Sequence, residues 1–276
     1  MIFGAITNSW REQLMEQDLP SLVKEALDRG AKHVELRQTC LGDCETGSGD
    51  EWLPVLNQLS ELVGAFPELT FDLAMAWPCL TRETDPSDLQ FQAALDAAIL
   101  VCGDNPHLRL VDPSPFEHPW EKPEDIPTEA LGIVPMAREA ARRGVTLSME
   151  NSGQPIRSMA MLVSEARDRL SPDEGSLLGL CPDPTNQLRR FPDTDPLAEL
   201  AALPPDMLKI VHMKQSRDGQ SHPTVDTGDL DCRRMLRVLD DKKYQGAVIM
   251  EIPPHPQVMD NLSASFSYLE AAREPR

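Results

Sequence analysis

Residues 145–186 read VTLSMENSGQPIRSMAMLVSEARDRLSPDEGSLLGLCPDPTN. The run VTLSME at 145–150 is typical of a strand, IRSMAMLVSEARDRL at 156–170 has apolar residues at helical spacing, and LLGLC at 177–181 is again strand-like. This order of strand, helix and strand is the unit from which parallel sheets with covering helices are built. The same rhythm predicts the architecture of the whole chain.

Strand-like runs followed by helical patterns recur along the entire sequence. The predicted strands are IFGAIT (2–7), HVELR (33–37), TFDLAMA (70–76), HLRLV (107–111), VTLSME (145–150), LLGLC (177–181), LKIVHM (208–213) and AVIMEI (247–252). Most of these runs are too apolar on both faces for a half-exposed sheet, which favours a closed parallel barrel with the helices outside. The sequence therefore predicts an α/β protein, a (β/α)8 TIM barrel that forms a single domain over residues 1–276.

A doubly wound open sheet is the alternative arrangement of alternating strands and helices. Against it, the first strand is followed by TNSWREQ at 7–13 instead of a Gly-rich phosphate-binding turn. The sequence also has no G-x-G-x-x-G motif and no P-loop, so it gives no support to nucleotide binding.

The Pro-rich segment 112–130 is the one stretch that resembles a linker, since its prolines prevent regular helix or strand. In a barrel this segment follows the fourth strand at the rim where active sites form. A lid or a substrate wall is therefore as natural an interpretation as a linker.

The composition narrows the class of partner. The chain has 276 residues, of which 41% are hydrophobic, and a formal net charge of −19. A nucleic-acid surface normally needs clustered Lys and Arg, so this charge excludes nucleic acid as the expected partner and favours a small molecule.

The chain is predicted to be a cytoplasmic protein with reduced cysteines. Its N-terminus, MIFGAITNSW, lacks the basic start and apolar stretch of a signal peptide, and no apolar run approaches the ~20 residues of a membrane span. The six cysteines lie in a chain much larger than the small secreted domains that depend on disulfides, so we expect thiols.

Functional side chains of such a barrel gather at the carboxyl ends of its strands. Strand five ends on Glu150, strand six is followed by Asp183, strand seven carries His212 and strand eight carries Glu251. Each residue alone has an ordinary structural explanation, such as a helix cap or a satisfied core histidine. Together they would repel and desolvate one another unless a cation compensated them. We therefore predict that these four residues bind one divalent metal ion: Mn, Mg, Co or Zn.

The chain resembles the xylose-isomerase-like TIM barrels, a superfamily of sugar phosphate isomerases and epimerases that also includes inosose dehydratases and endonuclease IV. The resemblance spans nearly the whole chain. It is carried by ALDRGAKHVELR with Glu35, LSMENSG with Glu150, LGLCPDPTN with Asp183, KIVHMKQSRDG with His212, Lys214 and Arg217, DTGDLD, and IMEI with Glu251.

The resemblance implies a second role for two of the ligands. In ketose epimerases of this superfamily two glutamates hold the metal and also form the acid–base pair, and the matching residues here are Glu150 and Glu251. Carboxylates on opposite sides of a hydroxy-carbonyl can remove a proton from carbon on one face and return it on the other. Many relatives have a histidine where this chain has Asn186, which can hydrogen-bond a substrate hydroxyl but cannot act as a general base.

Two cations follow His212 along the chain. Lys214 lies two residues further on and shares its face under the strand's period of two, so we predict a catalytic role for Lys214. Arg217 is predicted to bind substrate, because a cation at the mouth can hold a carboxylate, phosphate or oxyanion. The alternative for both is a solvated loop charge.

Three residues of strands two and three are further candidates for substrate binding. Glu35 and Arg37 share one face of strand two and either face the substrate or form a buried structural pair, an alternative that the sequence leaves open. Trp77 ends strand three and either provides a flat apolar wall for sugar C–H groups or covers the core.

The combined prediction is a metal-dependent isomerase or epimerase that acts on a small polyhydroxylated ketone or aldehyde through an enediolate. The alternative is a dehydratase of the inosose or dehydroshikimate type, which begins with the same proton removal and then loses a hydroxyl protonated by an acid such as Lys214. A non-catalytic sugar-binding barrel is the second alternative, against which the retention of all four ligands argues. The oligomeric state is left open, and a homo-oligomer is one option.

Overall fold

Eight parallel strands form the centre of the molecule. The computed structural model describes residues 1–114, 116 and 118–273. The strands are β1 (Ile2–Ile6), β2 (His33–Arg37), β3 (Thr70–Ala76), β4 (His107–Val111), β5 (Thr146–Glu150), β6 (Leu178–Cys181), β7 (Val211–Met213) and β8 (Ala247–Met250). All eight fall within the runs predicted from the sequence.

The sheet closes on itself. Its strands pair in the order β6-β5-β4-β3-β2-β1-β8-β7, and all of these pairings are parallel. The remaining gap is spanned by a parallel bridge between Leu180 and Leu208, where the Lys209 amide donates to the Leu180 carbonyl at 3.0 Å. The predicted single-domain (β/α)8 barrel is therefore confirmed, while residues 274–276 of the predicted range lie outside the described residues.

In the described part of the chain, ten α-helices cover the outside of the barrel. They are α1 (Leu19–Asp28), α2 (Leu56–Ala65), α3 (Leu89–Val101), α4 (Ile133–Arg142), α5 (Ile156–Arg167), α6 (Pro172–Ser176), α7 (Pro184–Arg190), α8 (Pro196–Ala202), α9 (Cys232–Asp241) and α10 (Val258–Arg273). Eight of them correspond to the predicted helical patterns. The short helices α6 and α7 are additional, and each begins with a proline after a capping residue, Ser171 or Asp183.

Helix α1 shows how local sequence fixes an element of this barrel. Asp18 caps its first turn, with Oδ1 accepting from the Ser21 amide at 2.8 Å, and Gly30 adopts a φ of 108° after its end. Leu22 and Val23 are fully buried on the face towards the sheet. Each such side chain contributes on the order of 2 kcal/mol through removal of apolar surface from water.

The interior of the barrel is unusually polar at its amino-terminal end. There the imidazole rings of His33 and His107 flank the carboxylate of Asp72. His33 Nε2 lies 2.8 Å from Asp72 Oδ1, and His107 Nδ1 lies 2.8 Å from Asp72 Oδ2. The outer ring nitrogens contact the hydroxyls of Thr70 (2.9 Å) and Ser148 (2.8 Å). Barrel interiors are usually filled with branched apolar side chains, so this buried chain of hydrogen bonds replaces part of the ordinary packing.

Replacing Asp72 with asparagine should lower the free energy of unfolding at neutral pH by about 2–3 kcal/mol, because the carboxylate of this buried chain receives charge-assisted hydrogen bonds. Although burial alone raises the pKa of Asp72, His33 and His107 hold that pKa well below its ordinary value. A depressed folded-state pKa stabilises the fold above the unfolded value of ~3.9, and this stabilisation is lost as the pH falls through the folded pKa.

Urea denaturation between pH 7 and pH 3.5 tests this prediction. The difference between the original protein and Asp72→Asn should stay constant down to about pH 4 and shrink below it. Asp28→Asn, at an exposed pair with Lys24 on α1, is the matched control and should change stability little. A difference that grows on acidification would contradict the assignment.

The structure also bears on the predictions about the cysteines and about membrane-spanning segments. All six cysteines are free thiols, as predicted. None of the helices in the described part of the chain has the length and apolar character needed to cross a membrane. The cytoplasmic location stays a prediction.

Candidate metal centre

Four strand ends bring the predicted ligands together. Glu150 is the last residue of β5, Asp183 follows β6 by two residues, His212 lies within β7 and Glu251 directly follows β8. One ligand atom from each lies within 4.8 Å of the others. Glu150, Asp183 and His212 are buried, and Glu251 is partly exposed. The cluster therefore has the size and accessibility of a metal site at the mouth of a barrel.

Asp183 is fixed by the start of helix α7. Its Oδ1 accepts a hydrogen bond from the backbone N–H of Asn186 at 2.9 Å. The side chain of Asn151 holds the backbone of Asp183: its Oδ1 accepts from the Asp183 N–H at 2.6 Å, and its Nδ2 donates to the Asp183 carbonyl at 3.0 Å. The other oxygen, Oδ2, is buried and makes no directional hydrogen bond, although Nζ of Lys214 lies 2.7 Å away. A buried carboxylate oxygen left in this state is suited to a cation.

His212 is oriented by a carboxylate from across the barrel. Its Nε2 lies 2.7 Å from Oε2 of Glu35, which leaves Nδ1 facing Oε2 of Glu251 at 3.1 Å and Oε1 of Glu150 at 3.8 Å. A carboxylate behind the distal nitrogen is the usual support of a metal-binding histidine. Burial lowers the pKa of His212, but its acidic neighbours, Cys181, Glu35 and Glu150, together raise this pKa well above the ordinary value.

Glu150 and Glu251 are each held from two sides. Glu150 accepts from Nη1 of Arg109 at 2.7 Å and from Nδ2 of Asn186 at 2.8 Å. Glu251 accepts from Nδ2 of Asn8 at 2.9 Å and from Nζ of Lys214 at 2.5 Å. Both carboxylates are therefore positioned by donors before any substrate binds.

The two glutamates differ in their protonation equilibria. Burial raises the pKa of Glu150, and Arg109 opposes this rise only in part. For Glu251 the effect of burial is outweighed by Lys214 and His212, which hold its pKa well below the ordinary value. Such unequal environments are typical of carboxylate pairs with different roles in one site.

Arg109 is the main site residue that the sequence analysis missed. Its Nε donates to Glu35 at 2.6 Å and its Nη1 to Glu150, while Nη2 is buried without a partner. The side chain is only 1% exposed. The signal was present, because a charged residue in the middle of the apolar strand HLRLV faces the barrel interior together with His107 under the period of two. Asn8, just beyond the end of β1, was missed as well.

The remaining predicted residues occupy three positions. Lys214 and Asn186 lie inside the cluster, where they contact Asp183, Glu251 and Glu150. Glu35 lies behind His212. Arg37 and Trp77 line a separate cavity of about 210 Å³ at the ends of β2 and β3.

Arg217 lies outside this cluster. It belongs to a two-stranded hairpin, Gln215–Arg217 with Gln220–His222, and its side chain is 53% exposed. Its Nη2 donates to the Thr227 carbonyl at 2.8 Å. Substrate binding by Arg217 stays a prediction.

The described part of the Pro-rich segment packs against the loop that follows β5. The Trp120 amide donates to Oε1 of Gln154 at 3.0 Å, and Ser158 Oγ donates to the Trp120 carbonyl at 2.7 Å. Phe116 meets the Trp120 ring edge-on with 5.3 Å between centroids. Residues 115 and 117 of this segment lie outside the described residues. These contacts place the described part of the segment against the β5–α5 connection and the start of α5. A role of the segment as a lid or a substrate wall stays a prediction.

Comparison with known proteins agrees with this geometry. The family model described as xylose isomerase-like TIM barrel matches residues 87–272, which is more than half of the chain and contains all four candidate ligands. The chain belongs to this family. A search of curated protein sequences gives no match. The resemblance to this family, which was inferred from the sequence around Glu150, Asp183, His212 and Glu251, is thus confirmed.

Several solved barrel structures are similar in fold to this xylose isomerase-like chain, although their sequence identity to it is low. An IOLI protein with a bound zinc atom matches with a TM-score of 0.68 at 13% identity, over 99% of this chain and 96% of that one. A D-allulose 3-epimerase from Methylomonas sp., in complex with D-allulose, gives 0.70 at 14% identity over 99% and 97%. The probable 3-DHS dehydratase AsbF from Bacillus anthracis gives 0.73 at 13% identity over 98% and 99%. These likenesses establish the fold.

Proposed function

We propose that this chain is a divalent-metal-dependent isomerase or epimerase of a small, carbohydrate-like hydroxy-ketone or aldehyde. The observation that carries the proposal is the convergence of Glu150, Asp183, His212 and Glu251, with ligand atoms within 4.8 Å of one another. Oxygen and imidazole donors together suit Mn, Mg, Co or Zn. The zinc of the IOLI protein and the D-allulose of the epimerase are consistent with this donor set and substrate class.

The residues present fit a divalent ion. Asp183 offers a buried oxygen without a hydrogen bond, and Nδ1 of His212 faces the cluster because Glu35 holds the opposite nitrogen. Glu150 and Glu251 would complete the ligand set. A bound ion would supply Lewis-acid stabilisation of negative charge on the substrate oxygens.

Glu150 and Glu251 are the proposed acid–base pair. One carboxylate removes a proton from the carbon next to the carbonyl, and the other returns a proton to the opposite face or to the neighbouring carbon. Their fixed hydrogen bonds to Arg109, Asn8 and Lys214 keep the oxygens in place during both transfers. This arrangement supports epimerisation or isomerisation through an enediolate.

Lys214 has an electrostatic role in this proposal. Burial lowers its pKa, but Asp183 and Glu251 outweigh that effect and raise the pKa far above the ordinary value. Lys214 therefore acts as a fixed positive charge between two carboxylates, where it can stabilise negative charge on a substrate oxygen.

A dehydratase is the second candidate function. It is favoured by the likeness to the probable 3-DHS dehydratase, which shares the fold at a TM-score of 0.73. Loss of water requires an acid that protonates the leaving hydroxyl, and the ammonium of Lys214 is already directed at two carboxylates, those of Asp183 at 2.7 Å and Glu251 at 2.5 Å. Proton exchange without loss of water is therefore the preferred reaction.

Deuterium exchange tests the proposed function. In D2O with Mn²⁺, the protein should introduce solvent deuterium at the carbon next to the carbonyl of a ketohexose such as D-fructose, as followed by mass spectrometry and NMR. Asp183→Ala should lose this exchange together with Mn²⁺ binding, whereas Asp173→Ala, on the exposed start of α6, should lose neither. Turnover with full retention of the original hydrogen would contradict the enediolate, and release of water would favour the dehydratase.

A further inference from the structure

We propose that the substrate of this site carries a carboxylate group, which the guanidinium of Arg37 binds in a cavity at the carboxyl ends of β2 and β3. The cavity, called here the Arg37 cavity, measures about 210 Å³ and is lined by Arg37, Gln38, Thr39, Asp50, Trp77 and Arg82, among other residues. The inference rests on the proposed function, and it specifies the substrate class: hydroxy-keto acids in place of neutral sugars.

Arg37 carries a positive charge that the protein leaves unbalanced. Its Nη1 donates to the Gln38 carbonyl at 2.6 Å, and within the described part of the chain no carboxylate lies at ion-pairing distance from its guanidinium. Arg109 shows the contrast, since this guanidinium on β4, two strands away from Arg37 on β2, contacts both Glu35 and Glu150. A largely desolvated guanidinium without a counter-charge is costly, so it is suited to receive an anion.

The surroundings of Arg37 increase this demand for an anion. Burial and the positive charge of Arg109 lower the pKa of Arg37, and the negative charges of Glu251 and Glu150 oppose this shift only in part. On balance the environment therefore disfavours the charged form of Arg37. The guanidinium nevertheless remains charged at neutral pH. A carboxylate bound against it would relieve both effects.

The other polar groups of the cavity match a single negative charge. Arg82 lies over the Trp77 ring at 5.2 Å and is 46% exposed, and its nearest carboxylate, that of the exposed Asp50, is 3.8 Å away. Arg37, Arg82 and Asp50 thus give the cavity a net side-chain charge of about +1 at neutral pH.

The position of Arg37 sets the length of the substrate. Glu35 and Arg37 face the barrel interior from one strand, and Glu35 contacts His212 of the metal centre. Two residues of a strand advance roughly 6.6 Å, so the backbone of Arg37 lies about that far beyond Glu35 towards the mouth. A ketone at the metal centre and a carboxylate four bonds away in a six-carbon chain would bridge the two positions.

A carboxylate fits this cavity better than a phosphate. The planar guanidinium matches the two oxygens of a carboxylate in a paired arrangement. A phosphate monoester carries roughly −1.5 to −2 charges at pH 7, which exceeds the net charge available in the cavity. The cavity also lies at the ends of strands β2 and β3, away from the start of an α-helix that would provide amides for a phosphate.

Three matched probes test the inference by equilibrium binding to the Mn²⁺-loaded protein. D-Fructose, D-fructuronate and D-fructose 6-phosphate share the ketone and differ at carbon six. We expect D-fructuronate to bind at least ~10-fold more tightly than D-fructose, the scale of one charge-assisted contact, and more tightly than the phosphate. Equal affinities, tighter binding of the phosphate, or no binding of D-fructuronate would each overturn the proposal.

Variants assign the preference to Arg37. Arg37→Met should remove the preference for D-fructuronate and leave the affinities for D-fructose and Mn²⁺ within ~3-fold, while Arg37→Lys should keep part of the preference because it retains the charge. Arg142→Met, on the exposed face of α4, is the control and should behave as the original protein. A preference that survives in Arg37→Met would overturn the assignment.

The outcomes separate this inference from the proposed function. Deuterium exchange on D-fructose without any preference for D-fructuronate would leave the isomerase proposal standing and contradict the carboxylate site. A clear preference lost in Arg37→Met, with no deuterium exchange on any probe, would support the carboxylate site and contradict the isomerase proposal.

Discussion

Replacement of Glu150 or Glu251 by glutamine is expected to lower turnover by at least ~100-fold, the usual reach of general acid–base catalysis. Glutamine keeps the size and one oxygen of the side chain, so it can still contribute to the site, but it cannot accept a proton at neutral pH. The measurement is kcat with the best ketose or keto acid of a panel, together with Mn²⁺ affinity by calorimetry.

The pattern across variants distinguishes chemistry from metal binding. Glu150→Gln and Glu251→Gln should reduce Mn²⁺ affinity much less than Asp183→Ala or His212→Ala, which remove a ligand atom entirely. Glu270→Gln, on the exposed side of α10, is the control. Full turnover in either glutamine variant would exclude that residue from the acid–base pair.

Replacement of Arg109 by methionine is expected to lower the free energy of unfolding by about 3–5 kcal/mol. Methionine has a similar length, but it leaves the Glu35 and Glu150 carboxylates without the partner that they contact at 2.6 and 2.7 Å. Buried charges that lose a partner destabilise a fold far more than the intact pair stabilises it. Urea denaturation followed by circular dichroism measures the change.

Two further variants test whether the loss of stability comes from the unpaired carboxylates. Arg142→Met disrupts an exposed pair with Glu139 and should change stability little. Glu35→Gln combined with Arg109→Met should recover part of the loss, because one of the two unpaired carboxylates is then neutral. An Arg109→Met protein as stable as the original would show that the two carboxylates are adequately compensated without the guanidinium.

The eight strands were predictable because each is a short apolar run bounded by helical patterns, and the barrel follows from their regular order. Helices α6 (PDEGS) and α7 (PTNQLRR) were not predicted, since both are short and contain too few apolar residues to show a helical period. Their starts are marked by local capping, with Pro after Ser171 or Asp183, a signal that becomes clear once the strand positions are known.

The four candidate metal ligands were predictable for a topological reason. In a parallel barrel every strand ends at the same face, so residues such as Asp183 and Glu251, which follow two different strands, must approach one another. Arg109 and Asn8 escaped the same reasoning. Arg109 lies in the middle of a strand, and its importance depends on two carboxylates from neighbouring strands that only the closed barrel brings within reach.

The sequence by itself determined the barrel and the residues at its mouth, because strand positions and the period of two depend on local pattern alone. The tertiary structure decided which groups pair. Glu35 contacts His212 from 177 positions away, and Lys214 lies between Asp183 and Glu251. Among the residues that the structure describes, Arg37 has no carboxylate at ion-pairing distance. Such pairing depends on how the strands close and tilt around the interior, and local sequence carries no record of contacts between residues so far apart.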